Sequence, residues 1–418
     1  MMPLGIARHA VVAAALAVAP AGAASAQAPA ADPARAPVRI VRRVAAAPDG
    51  GALQPVVASG ALAPPRAVDL RVDRVEIAIA LDDRRPVVLA MLDGRGPFRL
   101  GIETGAAFVG LTRRTLDSLH ATPVRHDLVG EVDSLQTLAM GGATLRGLAV
   151  RDAAPADPGI DGFIGLGAFE DLLLTIDYPA RRLVLERAAL PEPDGRTVFA
   201  VTRRGPFEAL ALDVAGHPTN AVIDTRASGA FGVTPEIGDS LRFAAPPVVI
   251  GQARGAAIPL TDVRLGRLAG DVRCGAIVFE RPLVSVRPLP AGFPGAILGS
   301  EALAHFAFTL DQKHGRVRLV APSPGPIPAP PPMTDLGLRL RPVPGGPPEV
   351  ADVRAGTPAD SLGIRPGDVV MGADDVDGAQ LDPARWRALA STGKPVALAL
   401  RRGGRPLVLS VRPAILVP

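Results

Sequence analysis

Two similar segments, with acidic residues at positions 103 and 224, constrain the fold of this chain more than any other feature. Residues 98–106 read FRLGIETGA, and residues 220–228 read NAVIDTRAS. In both segments an apolar run ends in an acid that is followed by threonine. One such acid in each half of the chain predicts a site that two carboxylates share.

Further landmarks repeat in the same order along the two halves. The segment GFIG at residues 162–165 recurs as GAILG at residues 295–299. Asp177 and Asp311 each follow the last glycine of that segment by 12 residues and precede a turn, so a turn role is expected for both. The matched spacing predicts a tandem duplication. Short alternating apolar runs, such as VEIAIAL at residues 75–81, predict lobes built mainly from β-strands.

Composition narrows the classes of function. The 418 residues are 48% hydrophobic, which allows two or three packed domains. The pI of about 10.1 comes with a net charge of only +4, and no arginine-rich stretch carries interleaved aromatic residues. Nucleic-acid binding is therefore not expected. Cys274 is the single cysteine, so the fold does not depend on disulfides.

The N-terminus is typical of an export signal. Arg8 and His9 precede a short apolar run, and Ala24-Ser25-Ala26 provides small residues before a cleavage point after Ala26. We predict a signal peptide over residues 1–26, with an uncleaved anchor as the alternative, and no membrane span in the mature chain. Residues 27–70 are rich in Ala and Pro, which predicts a linker acting as a passive tether.

A second Pro-rich linker is predicted over residues 322–333, followed by a separate unit over residues 334–414. Within this unit residues 356–370 read GTPADSLGIRPGDVV, which resembles the PDZ domains attached to bacterial envelope proteases. The resemblance implies a small β-rich module with a groove that accepts an extended peptide by strand addition. It places the carboxylate-binding loop at Leu336, Gly337 and Leu338.

The repeated halves, with their acid-Thr turns and the GFIG and GAILG segments, resemble the retropepsin-like aspartic proteases of bacteria. The resemblance implies a mainly β fold of two tandem retropepsin- or pepsin-like lobes, residues 71–192 and 193–321, which pair within the chain as a pseudo-dimer. Together with the signal peptide it predicts an exported, periplasmic or secreted protein of the bacterial envelope with a polypeptide substrate or ligand. The linker length favours a monomer with intrachain lobe pairing, with domain exchange between two chains as the alternative. By the pattern of the family Glu103 and Asp224 would be catalytic, and the residues supporting their loops would be Thr104, Gly105, Thr225 and Arg226.

Two neighbouring carboxylates suit peptide hydrolysis because they share a proton: one draws a proton from water while the other polarises the scissile carbonyl. This chain departs from the family pattern at Glu103, where Asp is usual, and at Arg226, where Gly is usual. The added methylene shifts the carboxylate, and the guanidinium favours two ionised acids. We therefore expect Arg226 to pair with Glu103. The alternative is that Arg226 points to solvent and the site hydrolyses peptides weakly.

Other chemistries find little support in the sequence. The six histidines show no metal-binding spacing, no Gly-x-Ser-x-Gly elbow occurs, and no cofactor motif is complete, so neither a metal nor a cofactor is expected. Three functions stay open: an aspartic endopeptidase, a catalytically silent peptide-binding protein that uses the interlobe cleft and the PDZ groove, and an interaction scaffold.

Overall fold

A computed structural model of the chain describes residues 62–127, 130–153, 159–204, 207–255, 258–289, 293–343 and 345–418. The expected signal peptide and most of the first linker lie outside these ranges. The mainly β prediction is confirmed, since strands make up most of the described structure. None of the helices among these residues is long and apolar enough to cross a membrane.

The first lobe is a set of short strands with one helix after the acid loop. Its elements are β1 (Ala67–Leu70), β2 (Arg74–Ala78), β3 (Ala80–Asp82), β4 (Arg85–Leu92), β5 (Arg95–Glu103), β6 (Val109–Leu111), α1 (Arg113–Leu119), β7 (Pro123–Asp127), β8 (Gly130–Met140), β9 (Ala143–Asp152), β10 (Gly162–Gly165), β11 (Leu173–Asp177) and β12 (Arg182–Glu186). Thr112 caps the N-terminus of helix α1 with its hydroxyl, which accepts from the Thr115 N–H, and His120 caps the C-terminus in the left-handed conformation.

The second lobe has a similar element order. Its elements are β13 (Val198–Arg204), β14 (Phe207–Val214), β15 (His217–Asp224), β16 (Phe231–Val233), α2 (Pro235–Gly238), β17 (Val248–Gly255), β18 (Ile258–Arg267), β19 (Val272–Cys274), β20 (Ile277–Phe279), β21 (Leu283–Val286), β22 (Gly295–Gly299), α3 (Ser300–Leu303), β23 (Ala307–Asp311) and β24 (Arg316–Val320). Strand β10 pairs parallel with β5 and antiparallel with β6, and in the second lobe β22 pairs in the same way with β15 and β16.

A six-stranded segment of a 15-stranded sheet joins the two lobes among the described residues. Its strand order is β2-β12-β11-β23-β24-β13, so each lobe contributes three strands. At the centre β11 and β23 run antiparallel with Thr175 opposite Thr309, and their hydroxyl oxygens are 2.8 Å apart. The register is symmetric about this pair, which marks an approximate twofold axis. One continuous apolar core extends through both lobes and includes Ile102 and Ile223 beside the two acids.

Asp177 and Asp311 close the two central strands and make local hydrogen bonds. Asp177 accepts from the Ala180 N–H at 3.0 Å, and Asp311 accepts from the His314 N–H at 3.2 Å. Both contacts fit the turn role that the sequence indicated, because a carboxylate at a strand end accepts from nearby backbone N–H groups.

The C-terminal segment forms its own sheets around a separate apolar core. Its elements are β25 (Met333–Asp335), β26 (Leu338–Val343), β27 (Gly346–Val353), α4 (Pro358–Ser361), β28 (Val369–Ala373), β29 (Val376–Asp377), α5 (Pro383–Ser391), β30 (Val396–Arg402), β31 (Arg405–Val411) and β32 (Ala414–Val417). The main sheet has the order β26-β27-β28-β30-β31, which leaves β26 at one edge. Strands β25 and β32 form a second, two-stranded sheet.

Residues of both stretches assigned to linkers make contacts with the lobes. Leu62 is buried and β1 pairs with β9, so part of the stretch assigned to the passive tether packs against the first lobe. In the second linker Ile327 pairs with Phe279 as an isolated bridge, donating its N–H to the Val278 carbonyl at 2.8 Å. Composition alone missed these contacts because a single large apolar side chain is enough to anchor a short Pro-rich segment.

The C-terminal sheets are attached mainly to the second lobe. The buried Arg267 donates to the carbonyls of Arg281 and Pro331 at 3.2 and 3.1 Å and also to the carbonyl of Pro418. Arg354 donates to the Val249 carbonyl on β17 at 3.0 Å. One arginine can hydrogen-bond several chain segments because its rigid guanidinium carries five N–H donors.

Candidate functional site

The two acids end two equivalent strands. Glu103 is the last residue of β5 and Asp224 is the last residue of β15. In the neighbouring parallel strand Gly165 stands opposite Glu103 and Gly299 stands opposite Asp224. A Cβ at Gly165 would lie 2.4 Å from the Phe108 carbonyl oxygen, and one at Gly299 would lie 2.5 Å from the Gly229 carbonyl oxygen. Glycine is therefore required at both places so that the acid loop can pack against the strand.

Thr104 and Thr225 lock the two acid loops together across the approximate twofold axis. Each threonine N–H donates to the hydroxyl of the other at 3.1 Å. The Thr104 hydroxyl donates to the Ile223 carbonyl at 2.7 Å, and the Thr225 hydroxyl donates to the Ile102 carbonyl at 2.6 Å. Both side chains are buried, so four reciprocal hydrogen bonds hold the acids at the same level.

The residue that follows each threonine breaks this symmetry. A Cβ at Gly105 would lie only 2.4 Å from Asp224 Cγ, so Asp224 occupies space that any larger residue at 105 would fill. The equivalent position in the other loop carries Arg226, whose real Cβ faces the first acid by the same symmetry. The carboxylate at 103 is thereby excluded from the place that the Asp224 carboxylate takes in the second loop. The extra methylene of Glu103 lets its carboxylate move away from that position.

The displaced Glu103 carboxylate forms an ion pair with Arg226. Arg226 Nη1 lies 3.3 Å from Glu103 Oε2, and the two side chains are 12% and 13% exposed. Asp224 binds the same residue through the backbone, because its Oδ1 accepts from the Arg226 N–H at 2.9 Å and from the Ala227 N–H at 3.3 Å. Arg226 therefore touches both acids, one through its side chain and the other through its backbone.

A second cation and a buried phenol act on Asp224. Burial lowers the pKa of the Arg287 guanidinium, and the negative charge of Asp224 opposes that shift. Burial raises the pKa of the Tyr178 hydroxyl well above its usual range, and Asp224 adds to the rise. Within the described residues the Tyr178 hydroxyl has no hydrogen-bond partner. The Arg287 guanidinium therefore places a positive charge near the Asp224 carboxylate.

Arg287 was missed by the sequence analysis, although the repeat contains the information. Gly110 pairs with Arg151 in the first lobe and Gly232 pairs with Ser285 in the second, so Ala153 and Arg287 are equivalent positions. A Cβ at Gly110 would meet Ala153, and one at Gly232 would meet Arg287. Aligning the repeats strand by strand would have shown arginine where the first lobe carries a small residue.

A small pocket opens beside the Glu103 carboxylate. It combines charged and apolar walls, lined by Asp82, Arg85, Val87, Ile160, Thr225 and Arg226. Among the described residues no group of three or more His, Cys, Asp or Glu side chains could hold a metal ion. The charged walls can hydrogen-bond polar groups of a bound molecule. The Glu103 carboxylate in this pocket is held by the positive charge of Arg226.

The structure keeps the loop at Leu336, Gly337 and Leu338 separate from the acid pair, in the C-terminal core. Gly337 has φ +78°, and a Cβ there would lie 2.4 Å from Thr357 Oγ1, so glycine is required. Its N–H donates to Asp335 Oδ1 at 3.3 Å. Burial raises the pKa of Asp335, while the Gly337 N–H and Arg354 favour its ionised form.

Comparisons with known proteins give similarities at the level of structure only. No protein-family model and no curated protein matches the sequence. A retropepsin-like aspartic protease from Rickettsia conorii is 17% identical over 30% of this chain and 95% of that chain, with a TM-score of 0.22. An aspartic proteinase from Irpex lacteus is 13% identical over 59% of this chain and 97% of that chain, with a TM-score of 0.43. Identities this low transfer no activity to the chain.

Proposed function

We propose that this chain is an exported aspartic-protease-like protein that binds extended polypeptides between its two lobes without hydrolysing them. The observation that carries the proposal is the 3.3 Å ion pair between Arg226 and Glu103. Proteolysis by two acids needs one of them to be protonated, whereas a guanidinium at this distance favours the ionised form. Arg287 adds positive charge on the side of Asp224.

The lobes keep the features that a polypeptide cleft needs. Each carries a hairpin, β7–β8 in the first lobe and β17–β18 in the second, and each hairpin follows the acid loop of its own lobe. The threonine interlock holds the two acid loops together, and the pocket beside Glu103 offers both hydrogen-bonding and apolar surface. An extended chain can use such a cleft for binding alone, since affinity comes from contacts that exist before any reaction.

Hydrolysis by Asp224 and Glu103 is the second candidate, favoured by the intact threonine interlock and by Gly105 beside Asp224. Incubation with fluorescein-labelled, carboxymethylated lactalbumin tests both candidates. Our proposal expects a rise in anisotropy with no fragments by mass spectrometry, and unchanged binding in the Asp224→Asn variant. Fragments produced by the wild type and lost in Asp224→Asn would support the second candidate.

We also propose that the C-terminal unit is a PDZ-like peptide-binding module. Strand β26 lies at the edge of its sheet, which supports strand addition by a ligand. Because the Gly337 N–H already donates to Asp335, a free C-terminal carboxylate would compete with a resident one. We therefore expect this module to bind peptides with free and amidated C-termini about equally, which isothermal titration with such a matched pair checks. A clear preference for the free carboxylate would contradict this expectation.

A further inference from the structure

A short arm that precedes the first lobe lies against the acid loop. Leu62 is only 7% exposed and packs in one cluster with Ala106, Phe108, Val132 and Phe163. Four residues later the Arg66 N–H donates to the Arg146 carbonyl at 2.8 Å, after which β1 continues along β9. Within residues 62–70 the arm is therefore held by one buried leucine and by strand β1.

The cluster around Leu62 is adjacent to Glu103. The Ala106 N–H donates to the Glu103 carbonyl at 3.2 Å. Phe163 pairs with Gly101, and a Cβ at Gly101 would lie 3.8 Å from both Glu103 Oε1 and Phe163 Cβ. The Phe163 and Glu103 side chains thus share one face of the sheet. Val132 lies on β8, which forms the hairpin of the first lobe.

The second lobe fills its equivalent cluster differently. There Ala227 and Ile297, the counterparts of Ala106 and Phe163, pack with Leu289 and the partly buried Phe293. Leu289 and Phe293 come from the connection between β21 and β22, inside the lobe itself. The first lobe instead receives Leu62 from outside its repeat. Because Leu62 comes from outside the repeat, its side chain can leave the cluster without breaking a strand of the lobe, whereas Leu289 belongs to a connection inside the lobe.

We propose that residues 62–65 are a resident occupant of an apolar side-chain subsite on the first lobe. An extended polypeptide carrying an aliphatic side chain displaces the arm to reach the surface beside Glu103. Burial of one leucine shifts an equilibrium by roughly 10- to 100-fold, which a polypeptide with several contacts can overcome. This inference rests on the proposed polypeptide-binding function, and it adds the class of side chain that the cleft takes and the contact that controls access.

The test supplies the arm in trans to the full chain. The probe is a fluorescein-labelled synthetic peptide with the sequence of residues 58–66, ASGALAPPR, and its binding is followed by anisotropy. The receptor is the Leu62→Asp variant, and the matched control is Ala63→Asp, which places the same charge on the exposed neighbour. Urea denaturation of both variants checks their folding, and Leu62→Ala replaces Leu62→Asp if the latter lowers the midpoint.

We expect the Leu62→Asp variant to bind the probe at least about 10-fold more tightly than the wild type or Ala63→Asp. A second probe with Asp in place of Leu should not bind. Equal binding of the first probe by all three proteins, or a loss of global stability in Leu62→Ala with no gain in binding, would make Leu62 an ordinary core residue and overturn the proposal. Competition by carboxymethylated lactalbumin distinguishes the arm proposal from the proposed function. If the probe binds tightly but lactalbumin does not displace it, the result supports the arm as the occupant of the subsite and contradicts the proposed polypeptide binding.

Discussion

The two acid loops share a backbone but differ in chemistry. Both end a strand beside a parallel partner, both depend on a glycine in that partner, and the same four hydrogen bonds join them. One loop reads Glu103-Thr104-Gly105 and the other reads Asp224-Thr225-Arg226. Because residue 105 is glycine, the Asp224 carboxylate has room beside the first loop. Arg226 occupies the equivalent space beside the second loop and excludes the Glu103 carboxylate from it.

This difference shows how the residues around two acids can differ while the backbone that positions them stays the same. The threonine interlock stabilises the junction of the lobes and does not involve the carboxylates, so the acids are free to change. Glu103 and Arg226 then compensate for each other, because the longer acid reaches the guanidinium that displaces it. A single change at either position would leave a partly buried charge without this partner.

The largest effect is expected from breaking the interlock. Thr104→Val and Thr225→Val each remove one donor and one acceptor and leave a buried N–H and a buried carbonyl unsatisfied, at a cost of about 2–5 kcal/mol. The two costs should be equal within about 0.5 kcal/mol, because the contacts are reciprocal. Urea denaturation measures both, with Thr309→Val as a control at about 1 kcal/mol. Unequal costs for Thr104 and Thr225 would refute the equivalence of the two loops.

Gly105→Ala should have the next largest effect. The new Cβ would meet Asp224, which must move, and overpacking of this kind costs about 1–3 kcal/mol. The matched control is Arg226→Ala, which keeps the Cβ that the other loop already accommodates and loses only the ion pair. Thermal unfolding of both variants checks the order. A Gly105→Ala protein as stable as the wild type would show that the Asp224 position is not constrained.

Asp133 offers a third contrast between the lobes. Its carboxylate is buried with no hydrogen-bond partner among the described residues, and burial raises its pKa despite the nearby Arg113. The equivalent position in the second lobe is Gly266, since Asp133 pairs with Val150 as Gly266 pairs with Val284. The lobes thus differ by a buried acid on β8.

The sign of the resulting pH dependence follows from proton linkage. The pKa of Asp133 is higher in the folded state than in the unfolded state. Its contribution to the free energy of unfolding is therefore fully present below the unfolded-state pKa and is lost as pH rises through the folded-state pKa. The free energy of unfolding of the Asp133→Asn variant should therefore equal that of the wild type near pH ~3 and exceed it by about 1 kcal/mol at neutral pH. Chemical denaturation across this pH range measures the difference. If stability varies with pH in the same way in the wild type and in Asp133→Asn, Asp133 does not contribute to the pH dependence.

The smallest effect is expected from the ion pair itself. A double-mutant cycle with Glu103→Gln and Arg226→Gln should give a coupling free energy of about 1 kcal/mol, since the pair is mostly shielded from water but only singly hydrogen-bonded. The exposed pair of Arg387 and Asp83 serves as the control, with coupling near zero. Coupling no larger than in the control would mean that Arg226 does not hold Glu103.

The sequence predicted the features that depend on local sequence pattern or on the length of a side chain. The acid loops follow from the repeat, and the contact of Arg226 with Glu103 follows from the length of the two side chains. Leu62 and Asp133 could not be predicted, because their roles depend on which strands become neighbours, whereas aligning the two repeats would have found Arg287. Leu62 lies in a stretch whose composition indicates a linker, and only the fold places it beside Ala106.

The central claim is that Arg226 and Glu103 together silence the acid pair, and giving both loops the sequence Asp-Thr-Gly tests it most directly. The wild type and the Glu103→Asp/Arg226→Gly double variant are incubated with carboxymethylated lactalbumin at about pH 4 and about pH 7, where acid pairs differ in their proton content. Mass spectrometry then counts the fragments. We predict no cleavage by the wild type, and cleavage by the double variant that Asp224→Asn abolishes. Cleavage by the wild type that disappears in Asp224→Asn would contradict the claim.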